Sequence, residues 1–250
     1  MRTKRRFAVI FALALAGAIA VAGVAMAASS STFSFKFTPS TVPKTTYKAG
    51  ALFTDLRTSY TSPADPVERT QIYLDKDFKI DPSQAAKCAP SQLSAKTMAQ
   101  AMAACKAALV GKGRATAQAS FGTIQACVLL FNGKPVNGNP TLQVFTRAQA
   151  TPASQIDCSD PAHNNQGNAT VLLQGILKPA SGLYGKVLDV NHITQASPFP
   201  LKVYTTTIKK GKYISARCHE TNKTWDMQTK WTYKSGKSTT IHKTQGCTVA

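Results

Sequence analysis

Acidic residues are scarce in this chain: 11 Asp and Glu stand against 30 Lys and Arg in 250 residues, a formal charge of +19. That balance favours anionic surroundings such as wall polymers, lipid headgroups or nucleic acid. The cations are scattered rather than blocked, however, and such a pattern also describes a solvated coat. No Cys-x-x-Cys occurs, which argues against zinc-thiolate and thiol-redox chemistry. Gly-x-Ser-x-Gly, His-Glu-x-x-His and the phosphate-loop pattern are absent too, and with them the nucleophile elbow, the metalloprotease helix and the nucleotide cradle. Histidine is limited to His163, His192, His219 and His242, with no pair at helical ligand spacing. No cofactor is expected.

Long apolar runs are equally rare, with one exception. Arg2, Lys4, Arg5 and Arg6 precede an uncharged apolar stretch from Phe7 to Val24, and Ala25-Met26-Ala27 follows with the small-x-small pattern of a signal-peptidase site. Residues 1–27 therefore read as a signal helix cleaved after Ala27, leaving 28–250 as a secreted or extracytoplasmic domain. The alternative is an uncleaved anchor with the domain outside, because Phe7–Ala28 supplies 22 apolar residues and roughly 20 span a bilayer. Membrane contact is expected only through such an uncleaved segment. With four basic residues in the leader, the remaining chain keeps 26 against 11 acids, a formal +15.

All six cysteines lie beyond the leader: Cys88, Cys105, Cys127, Cys158, Cys218 and Cys247. An even number in an exported chain implies three disulfides, and the pairing adopted here follows sequence order. Cys88 and Cys105 flank an Ala-rich helical region at 83–109. One straight helix from Ser91 to Leu109 would carry Cys105 about 20 Å from its start, at 1.5 Å per residue and out of reach of Cys88, so pairing needs a bend. Thr97-Met98-Ala99-Gln100 supplies it as a capping box opening a second helix, Met98–Leu109, with Gly111 as a left-handed stop. Cys158, in the polar segment 151–168, would tie that loop to the apolar run Cys127–Phe131, which reads as a strand covered on both faces.

Elsewhere the period is two. Phe33, Phe35 and Phe37 put three rings on one face of a strand, and further strands are expected at Ala51–Tyr60, Arg69–Ile80, Arg114–Phe131, Thr141–Arg147, Ala169–Lys178, Leu183–Val190 and Leu201–Lys209. Asn132-Gly133 and Asn137-Gly138 read as turns. Asp75, Asp77 and Asp81 invite a calcium loop, but two lysines intrude and the loop glycine is missing, which favours an ordinary turn. The C-terminal part, 213–247, reads as a three-stranded meander whose first and last strands bring Cys218 and Cys247 to one end. Trp225, Met227, Trp231 and Tyr233 share a strand face, better suited to core than to a sugar-stacking platform. The expected fold is mainly β: an antiparallel β-sandwich of about ten strands with an inserted short helical hairpin.

Several blocks carry a resemblance. Pro82…Cys88-Ala89-Pro90, Ala103-Ala104-Cys105, Val110-Gly111-Lys112-Gly113-Arg114-Ala115-Thr116, Leu183-Tyr184-Gly185-Lys186-Val187-Leu188-Asp189-Val190 and Tyr213-Ile214-Ser215-Ala216-Arg217-Cys218 together resemble a group of exported actinobacterial proteins without assigned activity. The resemblance implies an extracellular disulfide-bonded β-sandwich and transfers no functional residue.

Three functional readings follow. The preferred one is an exported non-enzymatic protein, envelope-associated or binding, with an anionic cell-envelope polymer or other polyanion as partner and no specific nucleic acid. A second is a secreted hydrolase assembled by the fold from His219, Glu220, Asp226 and His242, for which adjacent surface polar residues are the plainer explanation. The third is polyanion binding through Lys209, Lys210 and Lys212, the densest basic run, placed in a turn.

Overall fold

The computed structural model describes residues 30–60, 65–119, 122–149, 158, 169–197, 199–219 and 223–250. The leader expected at 1–27, His163 and Glu220 lie outside the described residues. In chain order the strands are β1 (Ser30–Thr38), β2 (Thr41–Val42), β3 (Lys48–Ala49), β4 (Ala51–Ser59), β5 (Val67–Asp75) and β6 (Phe78–Ile80). The helical hairpin α1 (Pro90–Leu93) and α2 (Met98–Cys105) leads into β7 (Leu109–Ala119), β8 (Gly122–Val136), β9 (Asn139–Gln149), β10 (Ala169–Pro179) and β11 (Tyr184–Val190). Helix α3 (Ile193–Ala196) precedes β12 (Leu201–Ile208), β13 (Ile214–Ala216), β14 (Thr224–Tyr233), β15 (Ser238–Gly246) and β16 (Thr248–Val249). Among the described residues no helix is long and apolar enough to cross a membrane.

The mainly β antiparallel fold with its inserted hairpin is what the chain forms, and its walls belong to one continuous sheet. Eleven strands run in the order β1-β4-β12-β7-β8-β9-β10-β11-β5-β14-β15, every neighbour antiparallel, and the sheet curls until its two edges nearly meet. The Gln245 side chain spans the seam: its Oε1 accepts from the Phe37 amide at 2.6 Å and its Nε2 donates to the Phe37 carbonyl at 2.9 Å. Just beyond, β2 and β16 pair in parallel. Two edges that would otherwise expose free amides are thereby covered.

Strict alternation sorts the residues. Phe33, Phe35 and Phe37 are all buried, as are Trp225, Met227, Trp231 and Tyr233, so the aromatic row is core. Phe37, Phe78 and Trp225 meet with ring centroids 5.2 to 5.4 Å apart and stop one end of the barrel. The short sheet β3-β13-β6 lies at the same end.

The hairpin packs on the outside of the barrel. Leu93, Met98, Ala101 and Cys105 bury against the outward residues Cys127, Leu129, Phe131 and Phe145 of β8 and β9, which explains the continuous apolar run as a strand covered on both faces. Thr97 caps α2 as expected, its hydroxyl accepting from the Gln100 amide and its own amide donating to the Gln100 side chain. All three disulfides pair in sequence order: Cys88–Cys105, Cys127–Cys158 and Cys218–Cys247.

Four local expectations are corrected. Residues 213–247 do not form a meander, because β14 has β5 and β15 as its neighbours while β13 crosses the barrel end between β3 and β6. That crossing brings Cys218 to Cys247 without spanning a central strand. Gly111 is not a helix stop: it lies in β7, where an added Cβ would sit 2.6 Å from the Thr207 carbonyl oxygen. Arg114–Phe131 divides into β7 and β8, which pair antiparallel from Leu109↔Phe131 to Ala119↔Gly122. Asn132-Gly133 is inside β8 rather than a turn, because the side-chain Nδ2 of Asn132 donates to the carbonyls of Pro82, Ala85 and Ala86 and pins the hairpin insertion there. The turn is at Asn137-Gly138, both with positive φ, as a two-residue hairpin requires.

Candidate functional site

The inward face of β7 carries Gly111, Gly113, Ala115 and Ala117, each set by register beside Ile208, Thr206, Tyr204 and Leu201 of β12. On its other side β8 contributes Ile124, Ala126, Val128 and Leu130. Of these four, Ala115 and Ala117 line a cavity of about 310 Å³, where their small side chains fall short of the opposite wall. Leu52 and Leu56 of β4, Ile72 and Leu74 of β5, Leu142 and Val144 of β9, Leu173 and Leu177 of β10, Leu188 of β11 and Trp231 of β14 enclose it.

No Asp, Glu, Lys, Arg or His is among the described residues of the lining. Its polar atoms are hydroxyls. Thr54 and Thr206 share a buried hydrogen bond of 2.9 Å, and burial pushes the Tyr204 and Tyr213 phenols well above their ordinary range. Both stay neutral at any physiological pH, since removing their protons would leave an anion in an apolar chamber. Tyr213 and Ile80 line the closed end, while Phe199, Leu201 and α3 frame the other. Helix α3 is held there by Glu68 of β5, which accepts from the Thr194 amide at 3.4 Å and from the Thr194 hydroxyl, and Ile193 faces the cavity. Such an arrangement offers a shaped, mainly apolar volume with hydroxyls as its polar side-chain groups.

The residues singled out in the sequence are elsewhere. Asp226 and His242 meet on the outer face of β14 and β15, with Nδ1 of His242 3.9 Å from Oδ1 of Asp226. Tyr184 of β11 joins them, donating to Asp226 at 2.7 Å and standing 3.1 Å from His242 Nδ1. Burial and the Asp226 carboxylate both raise the Tyr184 phenol, so it remains a donor rather than a base. His219 is exposed, and its carbonyl accepts from the Lys223 amide. In the acidic turn the carboxylates serve the chain's own groups. Asp75 accepts from the amides of Asp77 and Asp226, Asp77 pairs with Arg217 at 2.8 Å, and Asp81 caps Ser83. Among the described residues no three His, Cys, Asp or Glu side chains gather as a metal site.

Lys209, Lys210 and Lys212 occupy the turn between β12 and β13 at the closed end, with Gly211 at φ 48°. The Lys210 ammonium donates to the Ala107 carbonyl at the end of the hairpin. Sequence reading missed the cavity, yet its signal was present: alanines at 115 and 117 alternate along a strand where β-branched residues would be usual. The chain matches no protein-family model, no curated protein and no solved structure.

Proposed function

We infer that the protein is an exported, envelope-associated, non-catalytic binding protein that carries a small apolar molecule inside its barrel. One observation carries this reading: a cavity of about 310 Å³ with no charged side chain in its described lining. At about 30 Å³ per water-sized group, it has room for about ten such groups, the size of a medium alkyl chain or a compact terpenoid. Three disulfides fit an oxidising compartment outside the cytosol. An extracytoplasmic carrier suits that compartment, because apolar metabolites need a dry vessel to cross water. The outer Asp226–Tyr184–His242 cluster provides no activated nucleophile and supports the hydrolytic alternative less.

The test uses N-phenyl-1-naphthylamine, whose emission rises in apolar surroundings, displaced by 1-decanol. Trp231 lines the cavity, so energy transfer from tryptophan reports the bound probe. Micromolar binding is expected, with at least a tenfold loss in Ala115→Phe, which fills the space between Tyr204 and Ala126. Absence of probe binding, or undiminished binding by a folded Ala115→Phe variant, refutes the reading.

A further inference from the structure

Register aligns Lys36, Phe53, Thr207 and Lys112 in one row across β1, β4, β12 and β7. The next row is Ser34, Asp55, Thr205 and Arg114. Arg114 is in turn opposite Cys127, whose disulfide places Cys158 at the border of the face. Between that border and the strands lies a groove of about 350 Å³ lined by Phe53, Lys112, Arg114, Cys158, Thr205 and Thr207.

Three properties of this groove point the same way. Among the described residues of these two rows the one acid, Asp55, is held in a bidentate pair by Arg57, with contacts of 2.9 to 3.1 Å, so the rows present Lys36, Lys112 and Arg114 beside a carboxylate that is already paired. Phe53 is one of three large hydrophobic side chains exposed among the described residues, at 37%, and it stands between Lys36 and Thr207. The threonine hydroxyls complete a surface that donates, accepts and stacks. Lys112 and Arg114 are about 7 Å apart along the strand, and Lys36 is roughly 15 Å away across three strand intervals.

We propose that this face binds an acidic polysaccharide, a polymer of sugar rings bearing carboxylate or phosphate groups. A sugar ring lays its C–H face on Phe53, the Arg114 fork takes a carboxylate or phosphate in two hydrogen bonds, and Lys112 and Lys36 meet the next charges along the polymer. Binding here is independent of the barrel interior, whose lining faces the other side of the same strands. It fixes the carrier to an anionic matrix while leaving the cavity open. The Lys209, Lys210 and Lys212 turn is not part of this surface, and Lys210 is already committed to the hairpin.

The experiment is affinity electrophoresis and calorimetry of the disulfide-bonded protein with polygalacturonate, with dextran as the neutral polymer and single-stranded oligothymidylate as the other polyanion. Polygalacturonate is expected to bind and dextran not to. Lys112→Gln with Arg114→Gln weakens polygalacturonate at least tenfold. Phe53→Ser weakens it at least fivefold while leaving the salt dependence unchanged, because stacking carries no ions. Lys209→Gln with Lys212→Gln has less than a twofold effect. Each substituted side chain is exposed, and unchanged melting temperatures verify the fold. Failure to bind polygalacturonate overturns the proposal. So does equal binding of oligothymidylate that Phe53→Ser leaves intact, or a loss in the Lys209 and Lys212 variant as large as in the groove variant.

Discussion

Removal of the Cys218–Cys247 bridge by a double substitution to alanine tests how the closed end of the barrel is held. The bridge joins residues 29 apart in sequence. In the chain-entropy model, closing a loop of about 30 residues removes about 12 cal/mol/K from the unfolded ensemble, or about 3.6 kcal/mol at 25 °C. The same expression gives about 3.2 kcal/mol for Cys88–Cys105 and about 3.7 kcal/mol for Cys127–Cys158, whose separations are 17 and 31. Both Cys218 and Cys247 are buried beside the Phe37, Phe78 and Trp225 rings, so two small voids add to the entropic loss rather than offset it. Urea unfolding followed by tryptophan fluorescence and far-ultraviolet circular dichroism is the assay. The midpoint should fall, the slope should rise because the uncrosslinked chain expands further, and the melting temperature should drop by about 7–14 °C. A loss under about 1 kcal/mol, with an unchanged slope, would refute the reasoning, since the unfolded chain would then gain nothing from release of the crosslink.

Two further predictions concern the wall. Asp189 is buried on the outer side of β11 and binds Arg69 and Lys178, each at 2.7 Å. Burial by itself would raise its carboxyl, but hydrogen bonds and charge from Arg69 and Lys178 hold it below the ordinary carboxylate range. A depressed folded-state value means that this stabilisation is complete above about pH 4, the unfolded carboxyl range, and is lost as pH falls through the folded value. Asp189→Asn should lower stability by about 1–2 kcal/mol at neutral pH, because its partners can turn to solvent, and should flatten the acid limb of a pH-denaturation curve; an unchanged acid limb would contradict the pairing. Gln245→Ala removes both hydrogen bonds across the seam and should cost about 1–3 kcal/mol. Amide exchange at Phe37 should quicken selectively, and exchange that stays as slow as in the parent would show that the seam is closed by something else.

Local features of this fold were legible because they depend on neighbours in sequence. The Phe33, Phe35 and Phe37 alternation, the Thr97 capping box and the row from Trp225 to Tyr233 each follow from a period or a short pattern, and each sits where its pattern puts it. The order of strands did not follow, because β5 inserts between β11 and β14, and β12 between β4 and β7. Those pairings join residues 84 or more positions apart, and no local signal selects between edges of similar composition. Asn132-Gly133 misled for a related reason. The dipeptide favours a turn in isolation, but the Asn132 side chain holds three carbonyls of the distant 82–86 segment, and that tertiary claim outweighs the local preference. The paired acids and histidines were visible as residue types, while the meeting of Asp226 with His242 and Tyr184 required the register of three strands.

Register also links the cavity to the stability of the barrel. About eight strands enclose a space that side chains just fill, and the enclosed diameter grows with each added strand. Eleven strands therefore leave an interior that must be packed with large residues or left partly open. At the closed end Phe37, Phe78 and Trp225 fill it, with Tyr213 packed beneath Val128 and Leu130. Along β7 the chain does the reverse, because Gly113 has no room for a Cβ beside the Thr205 carbonyl oxygen, 1.9 Å from where that atom would be. Ala115 and Ala117 continue the same narrow wall toward the open end. Close approach of β7 to β12 thus fixes the strand pairing and, by the same constraint, denies that wall the bulk that would fill the barrel. A side chain added at Gly113 would collide with β12 and weaken the sheet, whereas one that enlarged β7 at Ala115 would close the chamber and leave the sheet intact, which separates the residues that hold the vessel together from those that keep it empty.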